Sequence, residues 1–415
     1  MHPFRKGQAM TYKCRVCDST KLVRLLDLGL QPLCNNFITR EQLAIGEPKY
    51  PMVLFVCQDC YLVQLTESAP THQMFENHPY LTGSTKALVR HFAALARELS
   101  EKILSPDDLV VDIGSNDGSF LKGYDQSRYR VLGIEACNHI AEIARQSGIP
   151  TITEFFEMKT AEAVIARYGH AKLITAAGVW FHIEDLHGAT LAVARLLSED
   201  GVFVVQAMYL GDVLKSDAYD SFYHEHLCLY SFGPLRALLE RHGMQVFDVA
   251  HSSIHGGALT VYCSHTGARS VQASVRDLIE VEKRQGVYEL STYHAFTERV
   301  ASKSRKLRVM IEQARQAGRT VWAYGAPAKS STLLNFSGIG PDLIQQALEM
   351  NKLKCGKLMP GTHIPVVDEE SLKGEKVDDI VLLSWNFRES LEPRARALLR
   401  PGGRVLVPVP DPVWV

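Results

Sequence analysis

An excess of charge of either sign is missing from this 415-residue chain: 45 Lys and Arg stand against 46 Asp and Glu, a formal net charge of −1. Without a global field, the chain is not built to gather nucleic acid or an anionic membrane. A long apolar run is missing too, since no segment approaches the roughly 20 residues that span a bilayer. The start, Met1-His2-Pro3-Phe4-Arg5-Lys6, has no apolar core of a signal peptide, so the expectation is a soluble, cytoplasmic protein with no membrane partner. Nine cysteines, an odd number without an export signal, exclude a disulfide framework and point to thiols and metal ligands. The length suffices for two or three domains, each with its own core.

Four of the cysteines are grouped. Cys14-Arg15-Val16-Cys17 and Cys57-Gln58-Asp59-Cys60 are two C-x2-C knuckles. Zinc takes four soft ligands in a tetrahedron, and two such turns close a site with no position left for water. Cys14, Cys17, Cys57 and Cys60 are therefore the expected ligands of a structural zinc that contributes folding energy to a small domain. Cys34, in the stretch Gly29–Asn36, is out of register with the knuckles and reads as an ordinary thiol in a loop.

The stretch that orders the rest is Val110-Val111-Asp112-Ile113-Gly114-Ser115-Asn116-Asp117-Gly118-Ser119-Phe120-Leu121. It reads as a strand that passes through a glycine turn and reopens as helix, leaving bare backbone for a ligand at Asp112, Gly114, Asn116 and Gly118. The spacing is not Gly-x-Gly-x-x-Gly, so a pyrophosphate is not the first expectation. Val131-Leu132-Gly133-Ile134-Glu135 reads as the next strand, with Glu135 placed to accept from ribose hydroxyls. The pairing resembles the S-adenosylmethionine (SAM) pocket of class I methyltransferases. Thr151-Ile152-Thr153 is a further short strand, after which Phe155 or Phe156 is placed either to pack on an adenine or to fill core.

Further strands follow at Leu173–Ala177 and Val202–Gln206, with His182 just beyond the first, where open α/β sheets place ligands. Phe222-Tyr223-His224-Glu225-His226 is the most unusual cluster. It is not the H-E-x-x-H of zinc proteases, and its residue types suit proton abstraction with stabilisation of the resulting anion; a solvated loop is the bland alternative. Ser253–Tyr262 reads as a turn into an edge-type strand. The span from about Val271 to Gln316 reads as long, charged helix and marks a domain change. Thr320–Ser331 then repeats the strand, turn and helix pattern, with Lys329 and Ser330 at a helix start suited to phosphate, and two more strands at 379–386 and 404–408 complete a smaller α/β sheet. No second acid of the Glu135 kind is legible in it.

Taken together, the segments resemble the SAM-dependent C-methyltransferases that act on nucleotide-linked 4-ketosugars on routes to branched deoxysugars. The resemblance rests on the two knuckles, the Asp112-x-Gly114 turn, Tyr223–His226, His255-Gly256-Gly257, Tyr324–Lys329, Pro360-Gly361-Thr362-His363 and Ser384–Phe387, and it runs nearly end to end. It implies an α/β protein: a class I methyltransferase doubly wound sheet over 76–268, a zinc-binding domain over 1–75, and a helical connection with a Rossmann-like domain over 269–415. It implies SAM and structural zinc as cofactors and a nucleotide-linked 4-ketosugar as partner. It further implies catalytic roles for Tyr80, His182, Tyr223, Glu225 and His226, with His226 the base at C-3, Glu225 orienting or charging an imidazole and Tyr80, Tyr223 and His182 donors to the enolate, and a substrate contact at His255. Three positions depart from the family: Gly178 where relatives carry Asn, Gln206 where many carry Glu, and Ala258 where Ser is usual. The competing readings are an O- or N-methyltransferase on a small molecule or sugar nucleotide, and a zinc-ribbon binding module on a degenerate methyltransferase fold.

Overall fold

Three sheets organise the computed structural model, which describes residues 12–67, 69–70, 74, 80–372 and 374–415. The start of the chain, most of the turn-rich segment before Tyr80 and the expected 75/76 boundary lie outside the described residues. Among the described residues, no helix is long and apolar enough to cross a membrane.

The first sheet is antiparallel. β1 (Leu22–Pro32) pairs with β2 (Lys49–Cys57), and β2 with β3 (Val63–Leu65). The knuckles bracket these strands, which bury Leu25, Leu26, Leu28, Met52, Leu54 and Val56. β1 runs through Gly29–Pro32, which the sequence suggested to be loop; a register shift between Asp27 and Leu30 absorbs Gly29 at φ 77° and lets pairing resume. The fourth strand of this sheet, Cys228–Leu229, comes from far along the chain and pairs with β3.

The second sheet uses β4 (Leu109–Ile113), β5 (Arg130–Ile134), β6 (Thr151–Ile152), β7 (Ala171–Ala177) and β8 (Leu197–Met208), all parallel. Beyond β9 (Cys228–Leu229) of the first sheet, β10 (Met244–Ser252) and β11 (Ala258–His265) complete it in the order β6-β5-β4-β7-β8-β11-β10, the doubly wound sheet of a class I methyltransferase. β4 is buried along its whole length, as a central parallel strand must be. The helix Lys86–Ile103 packs beside it through Leu88, Phe92, Leu95, Ala96 and Leu99, one face at helical spacing.

Two expectations are corrected here. The glycine turn after β4 does not reopen as an α-helix, only as a 3-10 turn at Leu121–Gly123, because few residues separate it from β5. The strand at Ala258–His265 is not an edge: it lies antiparallel between β8 and β10, and β10, flanked by the turn at Gly243 (φ 74°), holds the edge.

The helices Ala273–Arg284 and Leu290–Gln316 lead into the third sheet. It consists of β12 (Val321–Tyr324), β13 (Ala347–Glu349), β14 (Val366–Asp368), β15 (Val377–Leu382), β16 (Leu399–Val407) and β17 (Val413–Trp414) in the order β14-β13-β12-β15-β16-β17. Counted by its own strands this is 3-2-1-4-5-6, the order of a dinucleotide fold.

The sheets are stitched together around the polar cluster. Thr332 Oγ1, on the helix Ala328–Phe336 of the third unit, donates to the Phe222 carbonyl at 2.6 Å, and Tyr219 OH meets Ser337 Oγ at 3.0 Å. Glu47, in the loop before β2, accepts from Gly361 N at 2.9 Å and from His363 Nε2 at 3.1 Å, which explains the Pro360–His363 motif as a clasp between domains.

Candidate active site

The four knuckle sulfurs lie within 4.8 Å of one another, with Cys14–Cys60 at 3.4 Å and Cys17–Cys57 at 3.6 Å. A tetrahedron with zinc–sulfur bonds of about 2.3 Å places its sulfurs about 3.8 Å apart, so the set fits the ion. Left to themselves the thiols cannot share their charge. Hydrogen bonding to Cys60 draws Cys14 down to about 5, while burial pushes Cys17 up to about 12 and the bond to Cys14 drives Cys60 up as well. A divalent cation removes that conflict.

At the end of β4 the chain turns back under Gly114 (φ 65°), where a Cβ would meet Val179 Cγ2 at 2.4 Å. Gly118 (φ 75°) is as closely pressed, by Ile149 at 2.8 Å, so neither position accepts a side chain. Glu135, just past β5, is held by two backbone donors: Asn116 N to Oε2 at 3.0 Å and Cys137 N to Oε1 at 2.7 Å. Asp112 is turned inward and accepts from Thr175 Oγ1 at 2.5 Å, and burial raises its carboxyl to about 7. Its place is beneath the turn. Phe155 is 47% exposed whereas Phe156 packs on the core, so of the two Phe155 is the ring a ligand would cover. A Cβ added at Gly178 would meet nothing within 4 Å, so the departure from Asn leaves open room. Gln206 bridges His91, at 3.0 Å, and Thr260, at 2.8 Å.

The same turn reaches Tyr80 and the polar cluster. Asn116 accepts from Thr82 N at 2.8 Å and donates to the Tyr80 carbonyl at 3.1 Å, while Asp117 accepts from Gly83 N at 2.8 Å. Tyr80 is thereby tied directly over the turn. The residue is 39% exposed, yet burial of the hydroxyl pushes it up to about 12.

Tyr223–His226 forms a turn closed by His226 N donating to the Tyr223 carbonyl at 2.8 Å, neither extended nor helical, so His224 and His226 diverge. His226 faces His182, with centroids 5.1 Å apart, and lies against Tyr223 at 3.7 Å. His224 points to the first sheet, edge-on to Tyr50 at 5.9 Å, with no hydrogen-bond partner for either ring nitrogen among the described residues. A carbonyl only accepts, so the bond of His226 Nδ1 to Ser221 O (2.7 Å) fixes the proton on Nδ1 and the lone pair on Nε2. Burial, then the charge of His182, holds His226 well below the ordinary histidine value, so it is a neutral base near pH 7. His182 Nδ1 likewise donates, to the Glu225 carbonyl at 2.5 Å. As a neutral ring it therefore carries its lone pair on Nε2, and it donates there only when protonated.

Glu225, expected to orient or charge an imidazole, raises the His226 pKa through its charge, and its carboxylate is gripped from the turn after β1, with Asn35 Nδ2 on Oε1 at 2.9 Å and on Oε2 at 3.1 Å, and Cys34 Sγ at 3.4 Å. Cys34 is thus no ordinary thiol but part of the carboxylate's wall, its own ionisation driven up by burial and by Glu225. Sequence reasoning missed Asn35 altogether, since nothing in one sequence links positions 190 residues apart.

Lys329 is not a solvated lysine either. It is buried, donates to the His255 carbonyl at 3.1 Å and sits 5.0 Å over the Trp385 ring. Burial lowers its ammonium, opposed by the buried Asp220, which accepts from Trp385 Nε1 at 2.6 Å and has no partner for Oδ1 among the described residues. His255 adopts φ 58°, and burial, with Lys329 next, lowers its ring to about 4. Ser330 is a correction: its N–H and hydroxyl both donate to Pro327 O, at 3.0 and 2.5 Å, so they are spent inside the helix start.

Comparison with known proteins matches three successive family models. Residues 14–75 match the model of a zinc binding domain, 86–249 that of a methyltransferase domain, and 253–410 that of a C-methyltransferase C-terminal domain. The C-methyltransferase NovU of Streptomyces niveus is 33% identical over 402 residues, 96% of each chain. Among solved structures, magnesium protoporphyrin IX methyltransferase from Synechocystis PCC 6803 with bound SAH is 16% identical over 43% of this chain and 83% of its own, at a TM-score of 0.35. The YcgJ protein of Bacillus subtilis is 15% identical over 43% of this chain and 100% of its own, also at 0.35. At those scores the two likenesses carry no weight here.

Proposed function

We propose an acceptor for a chain that belongs to the SAM-dependent C-methyltransferase family: a nucleotide-linked 4-keto-deoxyhexose, methylated at C-3 through an enolate. Membership of a carbon-methylating family removes the O- and N-methyltransferase readings and the binding-module reading. The single observation that carries the proposal is His226, a buried neutral imidazole whose Nδ1 proton is committed to Ser221 and whose Nε2 is therefore the base.

A C–H beside a ketone yields its proton only if the developing oxyanion is stabilised, so a base and a set of donors must be held together in a dry site. Here His226 Nε2 takes the C-3 proton. Tyr223 and Tyr80, both kept protonated by burial, donate to the C-4 oxygen, and the charge of Lys329 is felt at His226. Glu225, clamped by Asn35, sets a negative charge near His226 that steadies the imidazolium once formed. The turn at Gly114–Gly118 with Glu135 fits a nucleoside, and Phe155 offers a face for its base. SAM, held there, supplies an activated methyl group to the carbanion. Afterwards His226 returns its proton to solvent, so methyl replaces hydrogen at C-3.

The test is to incubate the protein with SAM and a panel of nucleotide 4-ketohexoses and locate the new methyl group by mass and NMR. A methyl on C-3 is expected. A methyl on oxygen or nitrogen, or turnover of none of the panel, would sink the proposal.

A further inference from the structure

Three stretches far apart in the chain, His255-Gly256-Gly257, Tyr324–Lys329 and Ser384–Phe387, meet around one buried carboxylate, Asp220. Asp220 is wholly buried in the 3-10 turn Tyr219–Ser221, between β8 and β9. Its Oδ2 accepts from Trp385 Nε1 of the third unit at 2.6 Å, and its Oδ1 has no hydrogen-bond partner among the described residues. The Trp385 indole is fixed at both ends. Its far edge closes on Gly256 (φ 91°), where a Cβ would stand 3.2 Å from Cη2, and its face lies 5.0 Å from the Lys329 ammonium. Lys329 Nζ also donates to the His255 carbonyl at 3.1 Å. A carbonyl and a ring face solvate an ammonium without neutralising it, and a charge taken out of water needs a counter-charge. Among the described residues, Asp220 is the one carboxylate whose charge acts on Lys329, and Lys329 the one cation whose charge acts on Asp220. Each is costly to bury without the other.

We propose that Asp220 is a positioning residue for methylation: with Trp385 between them, it holds the Lys329 cation of the third unit in place beside the His226 turn. This rests on the reading of His226 as the base and adds the group that seats its neighbouring cation. The link to the base is short. The carbonyl of Ser221, next in the chain after Asp220, takes the Nδ1 proton of His226 at 2.7 Å, and the Phe222 carbonyl accepts at 2.6 Å from Thr332 Oγ1, three residues after Lys329. The turn that carries Asp220 thus sets the base on one side and seats the Lys329 helix on the other. The titratable groups that face Lys329 are Asp220, His255 and His226, and burial keeps both imidazoles neutral near pH 7. Asp220 alone of the three supplies a negative charge, so removing it makes the ammonium easier to deprotonate. Burial already lowers Lys329, whereas it raises Tyr223 and pushes Tyr80 up to about 12, so on the alkaline side Lys329 loses its proton before either tyrosine.

The test compares the full-length zinc-loaded protein with Asp220→Asn, Lys329→Met and the double variant. Thermal melting near pH 8, without substrate, reads the pair itself. Asp220→Asn leaves the ammonium buried alone, so it should melt below the double variant, in which neither charge remains, and the two single losses should not add. The pH profile of kcat/KM for the acceptor reads the positioning. Its alkaline limb should move to lower pH by about one pH unit or more in Asp220→Asn, and adding Asp220→Asn to Lys329→Met should move no limb further. Additive losses of stability overturn the inference, and so does an alkaline limb that stays in place in Asp220→Asn. Where Asp220→Asn fails to fold, a folded double variant supports the pairing, and a double variant that fails with it overturns the inference. Melting needs no substrate, so a protein that shows the coupling yet methylates no 4-ketosugar would refute the proposed acceptor and leave the Asp220–Lys329 pair standing.

Discussion

The second and third sheets begin alike and part after the first glycine. Each opens with a strand, a glycine at positive φ and a second strand closed by a glutamate that grips the backbone of the first turn. Beyond the glycine the two chains diverge. After Gly114 there is only a single 3-10 turn, and the carboxylates of Asp112, Asp117 and Glu135 gather around it. After Gly325 there is a nine-residue α-helix, Ala328–Phe336, with Lys329 in its first turn. A helix N-terminus carries a partial positive charge, so its absence from one turn and its presence in the other sort the ligands. Under the proposed function, a cationic sulfonium suits the first turn and an anionic diphosphate the second.

The largest expected effect tests whether the two sheets can face each other without the first. Cys57→Ser opens the zinc set, and structural zinc is worth about 10–16 kcal/mol in zinc-finger peptides. The first sheet should unfold, freeing Asn35 from Glu225, so methylation falls with the metal while Glu135 keeps the SAM turn formed. Metal analysis and thermal melting check this; a zinc-free protein with the wild-type melting temperature and activity would show that the first sheet is a passenger.

Next in size, His226→Asn should lower kcat by roughly 10²–10⁴-fold, the usual worth of a general base, and leave the affinities of both sheets for their ligands unchanged. Exchange of the C-3 hydrogen with deuterated solvent, measured without SAM, should vanish too. Exchange at the wild-type rate would move the base to His182, whose Nε2 carries a lone pair by the same tautomer argument.

Glu135→Ala should separate the two sheets most directly. Loss of one charge-assisted hydrogen bond, about 1.5–3 kcal/mol, weakens SAM binding by about 10- to 150-fold and leaves KM for the acceptor alone. Equal damage to both constants would mean that the sheets do not divide the reactants.

The smallest effect is a shift of pH dependence. Burial lowers the His226 pKa, so the acid limb of kcat/KM lies below the ordinary histidine value of about 6.5. The charge of Lys329 contributes to that lowering, because a nearby cation disfavours the imidazolium. Lys329→Met removes the cation, so the His226 pKa rises and the acid limb moves to higher pH, with a raised KM for the acceptor. An unmoved limb in the pH profile would place Lys329 away from the base.

Much of this was written locally. The zinc ligands, the Gly114 turn with Glu135, and the odd cluster at Tyr223–His226 are short patterns whose spacing dictates a backbone turn, and a turn forms from its own residues. Composition likewise decided that no charge field or membrane-spanning helix organises the described residues. Tertiary structure alone decided the rest. It set Asn35 on Glu225, turned His224 away from His226, buried Lys329 against His255 and Trp385, and put Glu349 under Ala326. Each of these is a contact between sheets, or between strands separated by a crossover. Such contacts follow from how buried faces pack on one another, and hydrophobic periodicity along one strand says which face is buried but not what lies across from it.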